Sequence, residues 1–487
     1  MSRLHISAYL ICLSLVCSPA SSVNEFEQWK QQQQQSFQQY KDERDREFTA
    51  FLKEHWREVE MLKGVVRDDR PKPVVMPVAE PVVPEPDTKP IDKPVEEKPE
   101  PVVIELTPAL PVEPAPVPRP EQKGLRAQVD YFGVEVTFYY DPAFKRTLPY
   151  NLNETALSNF WSDLSRADFE PVVEQIDTQA EALQLNDWGY VLLTHRLAER
   201  IYPAHANKQA LFTWFILAKA GFGSRVAYND RKVYLLIPSE QQLYDVTYFT
   251  FDDERYYAVS FDGSRNRPGS AYTYDGQYPG AAKKLDMSLR TKAPKAEGAE
   301  TRSLVFEYGG RRYAIKAEYD QARIDFLGTY PQLDLEIYFD AEVGATAESP
   351  LLQLLAKELA GMSEQEAVNF LLRFVQTSFR YRTDDQQFGR ENYLFPEETI
   401  FYPYSDCEDR SVLFAWLVKS LLGLEVVGLS YPGHVATAVY LEGGVAGDSV
   451  AYNGKRYAVA DPTFINATAG MTMPEYRNIK PQVIAIE

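Results

Sequence analysis

Two hydrophobic patterns alternate along the chain from about residue 125 to residue 487. Alternation of apolar and polar positions, typical of strands with one buried face, runs through VDYFGVEVTFYYD and VFEYGGRRYAIKAEYD. Apolar positions at steps of three and four, typical of amphipathic helices, run through ALFTWFILAKAG and VLFAWLVKSLLG. The two patterns together predict an α+β fold.

These patterns occur twice in the same order. Each half opens with a hairpin pattern, continues into a helix that follows a proline, and has a second helix before an aromatic and basic stretch. Each then has a Leu-Phe-x-Trp helix that ends in glycine, at Leu211–Trp214 and Leu413–Trp416, an offset of 202 residues (413 − 211). We therefore predict two tandem modules, residues 125–297 and 298–487.

The first residues, 1–22, have the pattern of an export signal. A weakly basic start precedes an apolar run, Ile6–Val16, which is too short for a membrane span. Small residues, Ser18–Ser22, then offer a cleavage site. The expectation is export, to a Gram-negative periplasm, with no membrane domain after cleavage. Lipidation at Cys17 and retention as an uncut anchor are the alternatives.

Two further segments precede the modules. Residues 23–65 are polar and carry recurrent aromatics, which predicts a helical segment. It packs on itself or on the body in one interpretation, and binds a protein partner in the other. Residues 66–124 are rich in Pro, Val and Glu, as in PVVPEP, which predicts a polyproline-like spacer that separates this helix from the modules.

Net charge and cysteine content exclude some classes of partner and of fold. The net charge of −19 argues against nucleic acid and anionic lipid as partners, because both reward basic surfaces. Two of the three cysteines, Cys12 and Cys17, lie in the predicted signal. The remaining thiol, Cys407, excludes a disulfide framework within one molecule. It is either a small buried hydrophobe or a functional group.

Cys407 lies at the predicted start of a helix. Asp406 is a good N-cap, Asp409 follows at the capping-box spacing, and Gly423 predicts the helix end. The helix dipole favours a thiolate there, but the charges of Asp406, Glu408 and Asp409 oppose it. Activation of this thiol therefore requires a basic partner.

The candidate partner is one of five histidines, His434. It opens a strand on which Ala436 and Ala438 share its face, leaving room for a ligand or for the cysteine helix. Asp461 ends a second strand after a hairpin at 452–455. If the strands are antiparallel neighbours, one register sets Asp461 opposite His434.

A thiol, an imidazole and a carboxylate in this order match the requirements of covalent acyl chemistry. A thiolate attacks an acyl carbon, the imidazole accepts the thiol proton and later protonates the leaving amine, and the carboxylate orients the imidazole. Neither a metal site nor a cofactor site is predicted from the sequence.

The segment from about Glu364 to Asn466 resembles the transglutaminase-like superfamily, which has a papain-like core. The resemblance rests on Cys407 leading its helix, His434 opening a strand, and Asp461 in ADPTF. It implies that these three residues are nucleophile, base and orienting group. Animal transglutaminases have tryptophan after the cysteine, whereas Cys407 is followed by Glu408. This pair resembles bacterial members, many of which look like peptidases or amide hydrolases.

An oxyanion hole at this site would include the backbone amide of Cys407. Tyr404, Tyr402 and Gln387 are the candidates for a second donor, and the sequence does not choose among them.

Alignment of the two halves places other residues at the triad positions of the first. His205 stands for the nucleophile and Lys232 for the base, both by the offset of 202, and Phe261 stands for the carboxylate when Tyr257 is matched to Tyr457. All three roles are lost. The first module is therefore expected to be degenerate and to pack against the second, shaping a substrate groove between them.

The preferred function is hydrolysis of an amide or isopeptide bond of a protein or cell-wall peptide, through a thioester at Cys407. Acyl transfer to an amine is the second enzymatic interpretation, since it differs only in what resolves the thioester. The third is a non-catalytic periplasmic scaffold.

Overall fold

The computed structural model describes residues 19–66, 72, 75–79, 123–261, 266–290, 298–444 and 446–487. Over these residues the protein is a mixture of helix and strand, in agreement with the α+β class. The predicted signal, residues 1–22, lies mostly outside this part of the chain. No helix among the described residues is both long and apolar enough to span a bilayer.

The helices are α1 (Pro19–Glu54), α2 (Glu154–Ser165), α3 (Glu170–Ala182), α4 (Asp187–Ile201), α5 (Ala206–Lys219), α6 (Gln321–Leu327), α7 (Leu335–Phe339), α8 (Ala345–Leu359), α9 (Glu364–Ser378), α10 (Asp384–Gln387), α11 (Pro396–Phe401) and α12 (Cys407–Leu422).

The strands are β1 (Trp56–Met61), β2 (Leu125–Tyr131), β3 (Val134–Tyr140), β4 (Arg225–Tyr228), β5 (Val233–Pro238), β6 (Tyr248–Phe251), β7 (Glu254–Val259), β8 (Gly269–Tyr274), β9 (Glu300–Tyr308), β10 (Arg311–Tyr319), β11 (Arg380–Tyr381), β12 (Tyr404–Ser405), β13 (Val426–Tyr431), β14 (His434–Tyr440), β15 (Ser449–Tyr452), β16 (Lys455–Ala460) and β17 (Gln482–Ile484).

The helical segment predicted over residues 23–65 is shorter in the structure. Helix α1 ends at Glu54, and β1 follows and pairs with β8 in the first sheet. Phe48 and Leu52 of α1 are buried against Trp161 and other aromatic rings. The end of α1 therefore packs on the body, because these apolar side chains find a partner surface there.

The two central sheets share the order of five strands, and the first sheet has β1 as a sixth strand at one edge. The first sheet runs β6-β7-β5-β4-β8-β1, and the second runs β15-β16-β14-β13-β17. In each half the Leu-Phe-x-Trp helix is followed directly along the chain by two central strands of the sheet. These are β4 and β5 after α5, and β13 and β14 after α12. A separate two-stranded hairpin, β2–β3 or β9–β10, precedes each set of helices.

The two halves share one continuous apolar core. Polar contacts also join them: Asn186 Nδ2 donates to Tyr330 Oη at 2.7 Å, and Trp188 Nε1 donates to Thr329 Oγ1 at 3.0 Å. A cavity of about 350 Å³ lies where the halves meet, lined in part by Trp188, His195 and Tyr330. The predicted triad residues do not line this cavity.

The proline-rich segment 66–124 is described at Lys72 and 75–79, and these residues lie on the second half. Ala79 N donates to Ile465 O at 2.7 Å, and Ile465 N donates to Pro77 O at 2.9 Å. At these residues the predicted spacer contacts the second half. Their extended backbone leaves N–H and C=O groups unpaired, and Ile465 pairs them. Residues 80–122 lie outside the described part.

Candidate active site

Cys407 is the first residue of α12 and is completely buried. Asp409 Oδ2 accepts a hydrogen bond from the backbone N–H of Asp406 at 3.1 Å, which fixes the start of the helix. Gly423 ends the helix in the left-handed conformation, with φ 64°. The predicted start and end of this helix are both confirmed.

The thiol of Cys407 is held by a carboxylate in this conformation. Its Sγ–H donates to Glu408 Oε2 at 2.9 Å. Burial raises the pKa of Cys407 well above its ordinary value, and the charges of Glu408 and Asp406 raise it further. The helix dipole alone therefore does not activate this thiol, as the flanking carboxylates led us to expect.

His434 and Asp461 form a buried pair. His434 Nε2 lies 2.8 Å from Asp461 Oδ2. The other carboxylate oxygen, Oδ1, accepts from the backbone N–H groups of Thr463 and Phe464 at 2.8 and 3.2 Å, so the carboxylate is fixed from both sides. Tyr476 stacks on the imidazole with ring centroids 4.9 Å apart.

The second ring nitrogen, His434 Nδ1, is buried and has no hydrogen-bond partner within the described part of the chain. When Nε2–H donates to Asp461, Nδ1 carries the lone pair and is able to accept a proton. A buried acceptor without a partner costs free energy, so its retention at this position is an argument for a functional role.

Two observations place Cys407 beside this pair. Ser411, one turn after Cys407, donates to the backbone carbonyl of Val435 at 3.1 Å, and Val435 follows His434. Burial and then the charge of Cys407 raise the pKa of Tyr476 to about 12, and Asp461 contributes as well. Tyr476, which stacks on His434, therefore lies within electrostatic range of both Cys407 and Asp461.

The strand register differs from the one that sets Asp461 opposite His434. The β14–β16 ladder is antiparallel as expected, but it pairs Thr437 with Ala460 and ends there. Asp461 therefore lies beyond the ladder and reaches His434 diagonally. The hairpin at 452–455 is confirmed, with Asn453 and Gly454 both at positive φ.

The alanines of β14 do not make room for the cysteine helix. Ala436 and Ala438 pack with Tyr457 and Val459 in a small cluster on the outer face of the sheet. Val435 and Val439, which alternate with the alanines along β14, belong to the main core that contains α12. The helix thus packs on the face of the strand opposite to these alanines, and of the two expectations only room for a ligand stays a prediction.

Two buried residues that the sequence analysis missed tie the site together. Arg410 Nη2 donates to Phe379 O at 2.8 Å, and its Nη1 donates to Gln376 O at 3.1 Å. Gln376 Nε2 in turn donates to Phe464 O at 2.9 Å and to Ala467 O at 3.0 Å. One network therefore connects the cysteine helix, α9 and the loop after Asp461. Their polar types gave no signal of burial in the sequence.

Tyr381 is a second donor candidate that the sequence analysis missed. It pairs with Ser405, two residues before Cys407. Its hydroxyl is buried without a hydrogen-bond partner in the described residues. Its pKa is raised by burial and next by Cys407, which places the hydroxyl in the field of the thiol. Of the candidates proposed from sequence, Tyr404 packs its ring against the guanidinium of Arg382.

Three buried carboxylates and the partly exposed Glu391 surround the ammonium of Lys72 beside Cys407. Lys72 Nζ lies 2.7 Å from Glu391, 2.8 Å from Asp406, 2.9 Å from Glu408 and 3.7 Å from Asp384. Carboxylate oxygens of Asp384, Asp406 and Asp409 also lie within 4.8 Å of one another, a grouping that can bind a cation. The sequence analysis missed this cluster, because acidic residues are common in so acidic a chain.

The first half has other side chains at the corresponding positions. His205 caps α5, and Lys232, which directly precedes β5, donates to Asn266 Oδ1 at 2.8 Å. The β5–β7 ladder pairs Leu235 with Val259, as the β14–β16 ladder pairs Thr437 with Ala460. Ser260, and not Phe261, therefore corresponds to Asp461. The sequence alignment that matched Phe261 to Asp461 is therefore shifted by one residue. The strand pairing shows this shift, whereas the match of Tyr257 to Tyr457 does not.

Comparison of the chain with protein-family models, with curated proteins and with solved structures found no match.

Proposed function

We propose that the protein is a cysteine hydrolase that cleaves an amide or isopeptide bond of a protein or cell-wall peptide through a thioester at Cys407. The observation that carries this proposal is the buried His434–Asp461 pair. Its Nδ1 has no partner in the described residues, and Ser411, one turn after Cys407 on the same helix, bonds the backbone of Val435 next to His434. The resemblance to the transglutaminase-like superfamily supports the same assignment.

The reaction would begin when Glu408 releases the thiol. His434 Nδ1 accepts the Sγ proton, and Sγ attacks the carbonyl carbon, forming a C–S bond. The oxyanion is stabilised by the Cys407 backbone N–H and by the Tyr381 hydroxyl. His434 then donates its proton to the nitrogen of the leaving amine as the C–N bond breaks. Asp461 keeps the imidazole oriented and stabilises its charged form.

The thioester is resolved when His434 Nδ1 accepts a proton from water, which attacks the acyl carbon and releases the acid and the thiol. An amine in place of water gives acyl transfer by the same steps. A non-catalytic binding protein is the competing proposal. It is favoured by the complete burial of Cys407 and by the hydrogen bond of its thiol to Glu408.

Acylation of Cys407 distinguishes these proposals. A chain that begins at Val23 holds one cysteine, so the mass increment that is absent from Cys407→Ala reports acylation of that thiol. With p-nitrophenyl acetate we expect acylation of wild-type protein, and a rate lower by about 10²–10⁴ in His434→Ala, since this variant lacks the general base. A matched variant is His55→Ala, in α1's flanking segment, which should acylate at the wild-type rate. No acylation in the wild type, with normal acylation after unfolding in urea, would favour the binding protein.

The relation between the two halves and the destination of the protein are also proposals. We propose that the halves are related modules, the first without a triad, and the common strand order of the two sheets supports this. We further propose export to a periplasm, on the pattern of residues 1–22 alone.

A further inference from the structure

The cluster of carboxylates next to Cys407 has a shape suited to one chemical group. Lys72 Nζ makes three short contacts, with Glu391, Asp406 and Glu408, at 2.7 to 2.9 Å. A primary ammonium has three donors, so each finds one carboxylate oxygen. The ring of Tyr393 lies 5.6 Å from the same nitrogen.

The site is built into the fold of the second half, whereas the lysine comes from far away in the sequence. Asp406 and Glu408 flank Cys407, and the chain separates Lys72 from Asp406 by 334 residues. Asp406 is completely buried, and its Oδ1 has no hydrogen-bond partner in the described residues. The site therefore retains a buried acceptor beyond those that Lys72 uses.

The subsite is joined directly to the proposed nucleophile. Glu408 Oε2 accepts from Cys407 Sγ and from Lys72 Nζ, each at 2.9 Å. A group bound where Lys72 lies thus controls the carboxylate that holds the thiol.

We propose that the pocket formed by Asp384, Glu391, Asp406 and Glu408 is a recognition subsite for a primary ammonium group of the substrate, of lysine type, and that Lys72 fills it in cis. This inference rests on the proposed function, because it names the substrate class of that same site.

The positive charge of the bound group indicates that the pocket recognises an ammonium and does not supply a nucleophilic amine. Burial by itself would lower the pKa of Lys72, but Glu408 and Asp406 raise it well above its ordinary value. An amine held in this pocket stays protonated and lacks the lone pair that acyl transfer requires. The pocket therefore holds an ammonium for recognition and does not itself activate an amine for attack.

Lys72 holds its place through neighbouring residues of the same segment. Met76 Sδ lies 2.8 Å from Arg410 Nη1, and Ala79 N–H donates to Ile465 O at 2.7 Å. Ala79 also packs with Phe464 and Met473. The substrate must displace this segment or bind when it has left.

Binding of two matched probes tests the proposal. The probes are Nα-acetyl-lysine methylamide and Nα-acetyl-norleucine methylamide, which differ in the ammonium. Titration calorimetry uses the full chain, as wild type and as Lys72→Met. We expect Lys72→Met to bind the lysine probe at least about tenfold more tightly than wild type. The two proteins should have equal affinity for the norleucine probe. Adding Glu391→Gln to Lys72→Met should weaken the lysine probe.

A second variant covers the case in which Lys72→Met fails to fold. Ala79→Pro removes the N–H that donates to Ile465 and leaves Lys72 and the carboxylates intact. It too should bind the lysine probe more tightly than wild type, whereas Val75→Ala, at an exposed position, should not.

Three results overturn the proposal: equal binding of both probes, no lysine-dependent gain in either opened variant, or tight binding of Ca²⁺ or Zn²⁺ without the lysine probe, which would make this a metal site. These readouts do not depend on thiol chemistry. They can be repeated in Cys407→Ser, so loss of ammonium binding and loss of acylation are separate outcomes.

Discussion

At the scale of single residues, the site is defined by buried polar atoms that lack partners. His434 Nδ1, the Tyr381 hydroxyl and Asp406 Oδ1 are all buried without a hydrogen-bond partner in the described residues. Each such atom costs stability, on the order of 1–3 kcal/mol. Their proximity to Cys407 is the reason to assign them chemical roles.

Tyr381→Phe separates a role in catalysis from a role in structure. We expect the rate of Cys407 acylation by p-nitrophenyl acetate to fall by about 10²–10³, because one oxyanion donor is lost. The free energy of unfolding in urea should not fall, since the hydroxyl has no bond to lose. Tyr404→Phe is the matched control. If Tyr404→Phe lowers the acylation rate more than Tyr381→Phe does, Tyr404 is the oxyanion donor.

Asp406 predicts a pH dependence of stability. Burial and Glu408 raise its pKa from 3.8 to about 7 in the folded protein. Between these values the folded state binds more protons than the unfolded state, so stability falls as pH rises from about 4 to about 7. The loss is on the order of a few kcal/mol.

The measurement is the free energy of unfolding at several pH values for wild type and Asp406→Asn. The asparagine cannot titrate, so its curve should lack this decline, whereas the exposed Asp385→Asn should follow wild type. Parallel curves for wild type and Asp406→Asn would show that the carboxyl titrates normally.

At the scale of elements, the site depends on how α12 is anchored. Arg410 is fully buried and bonds backbone carbonyls of α9 and of the residue after it, Phe379. Burial lowers its pKa to about 10, which is the penalty for holding a guanidinium there. Ser411 then joins the same helix to β14. These contacts set the position of Cys407 relative to His434.

Arg410→Lys should destabilise the protein by roughly 2–5 kcal/mol, because lysine cannot reach two carbonyls at once and leaves acceptors unpaired. Urea unfolding followed by tryptophan fluorescence measures this. Arg477→Lys, at a mostly exposed position, is the control and should change stability little. A small effect at Arg410 would mean that water replaces its contacts.

At the scale of the whole molecule, the halves behave as one body because they share a core. The apolar cluster runs from Leu52 in α1 through both sets of helices to Ile484 in β17. The docked residues 75–79 add a further connection to the second half. Unfolding of either half is thus expected to carry the other with it.

Cys407 offers a reporter for this coupling, because it is buried in the second half. Leu52→Ala creates a cavity in the first half and should lower stability by about 2–5 kcal/mol. We expect the urea midpoint for Cys407 alkylation by iodoacetamide to fall accordingly. Leu125→Ala, at a partly exposed position, is the control. An unchanged midpoint in Leu52→Ala would mean that the halves unfold independently.

The sequence by itself determined the local elements of the site. Periodicity and capping placed Cys407 at the start of a helix and Gly423 at its end, and alternation placed His434 at the start of a strand, since these signals are local. The tertiary structure alone decided the register that brings Asp461 to His434. It also decided the burial of Arg410, of the Tyr381 hydroxyl and of Asp384, Asp406 and Glu408, and the placement of Lys72 beside the thiol. Such facts depend on contacts between residues far apart in the chain, and no local pattern encodes them.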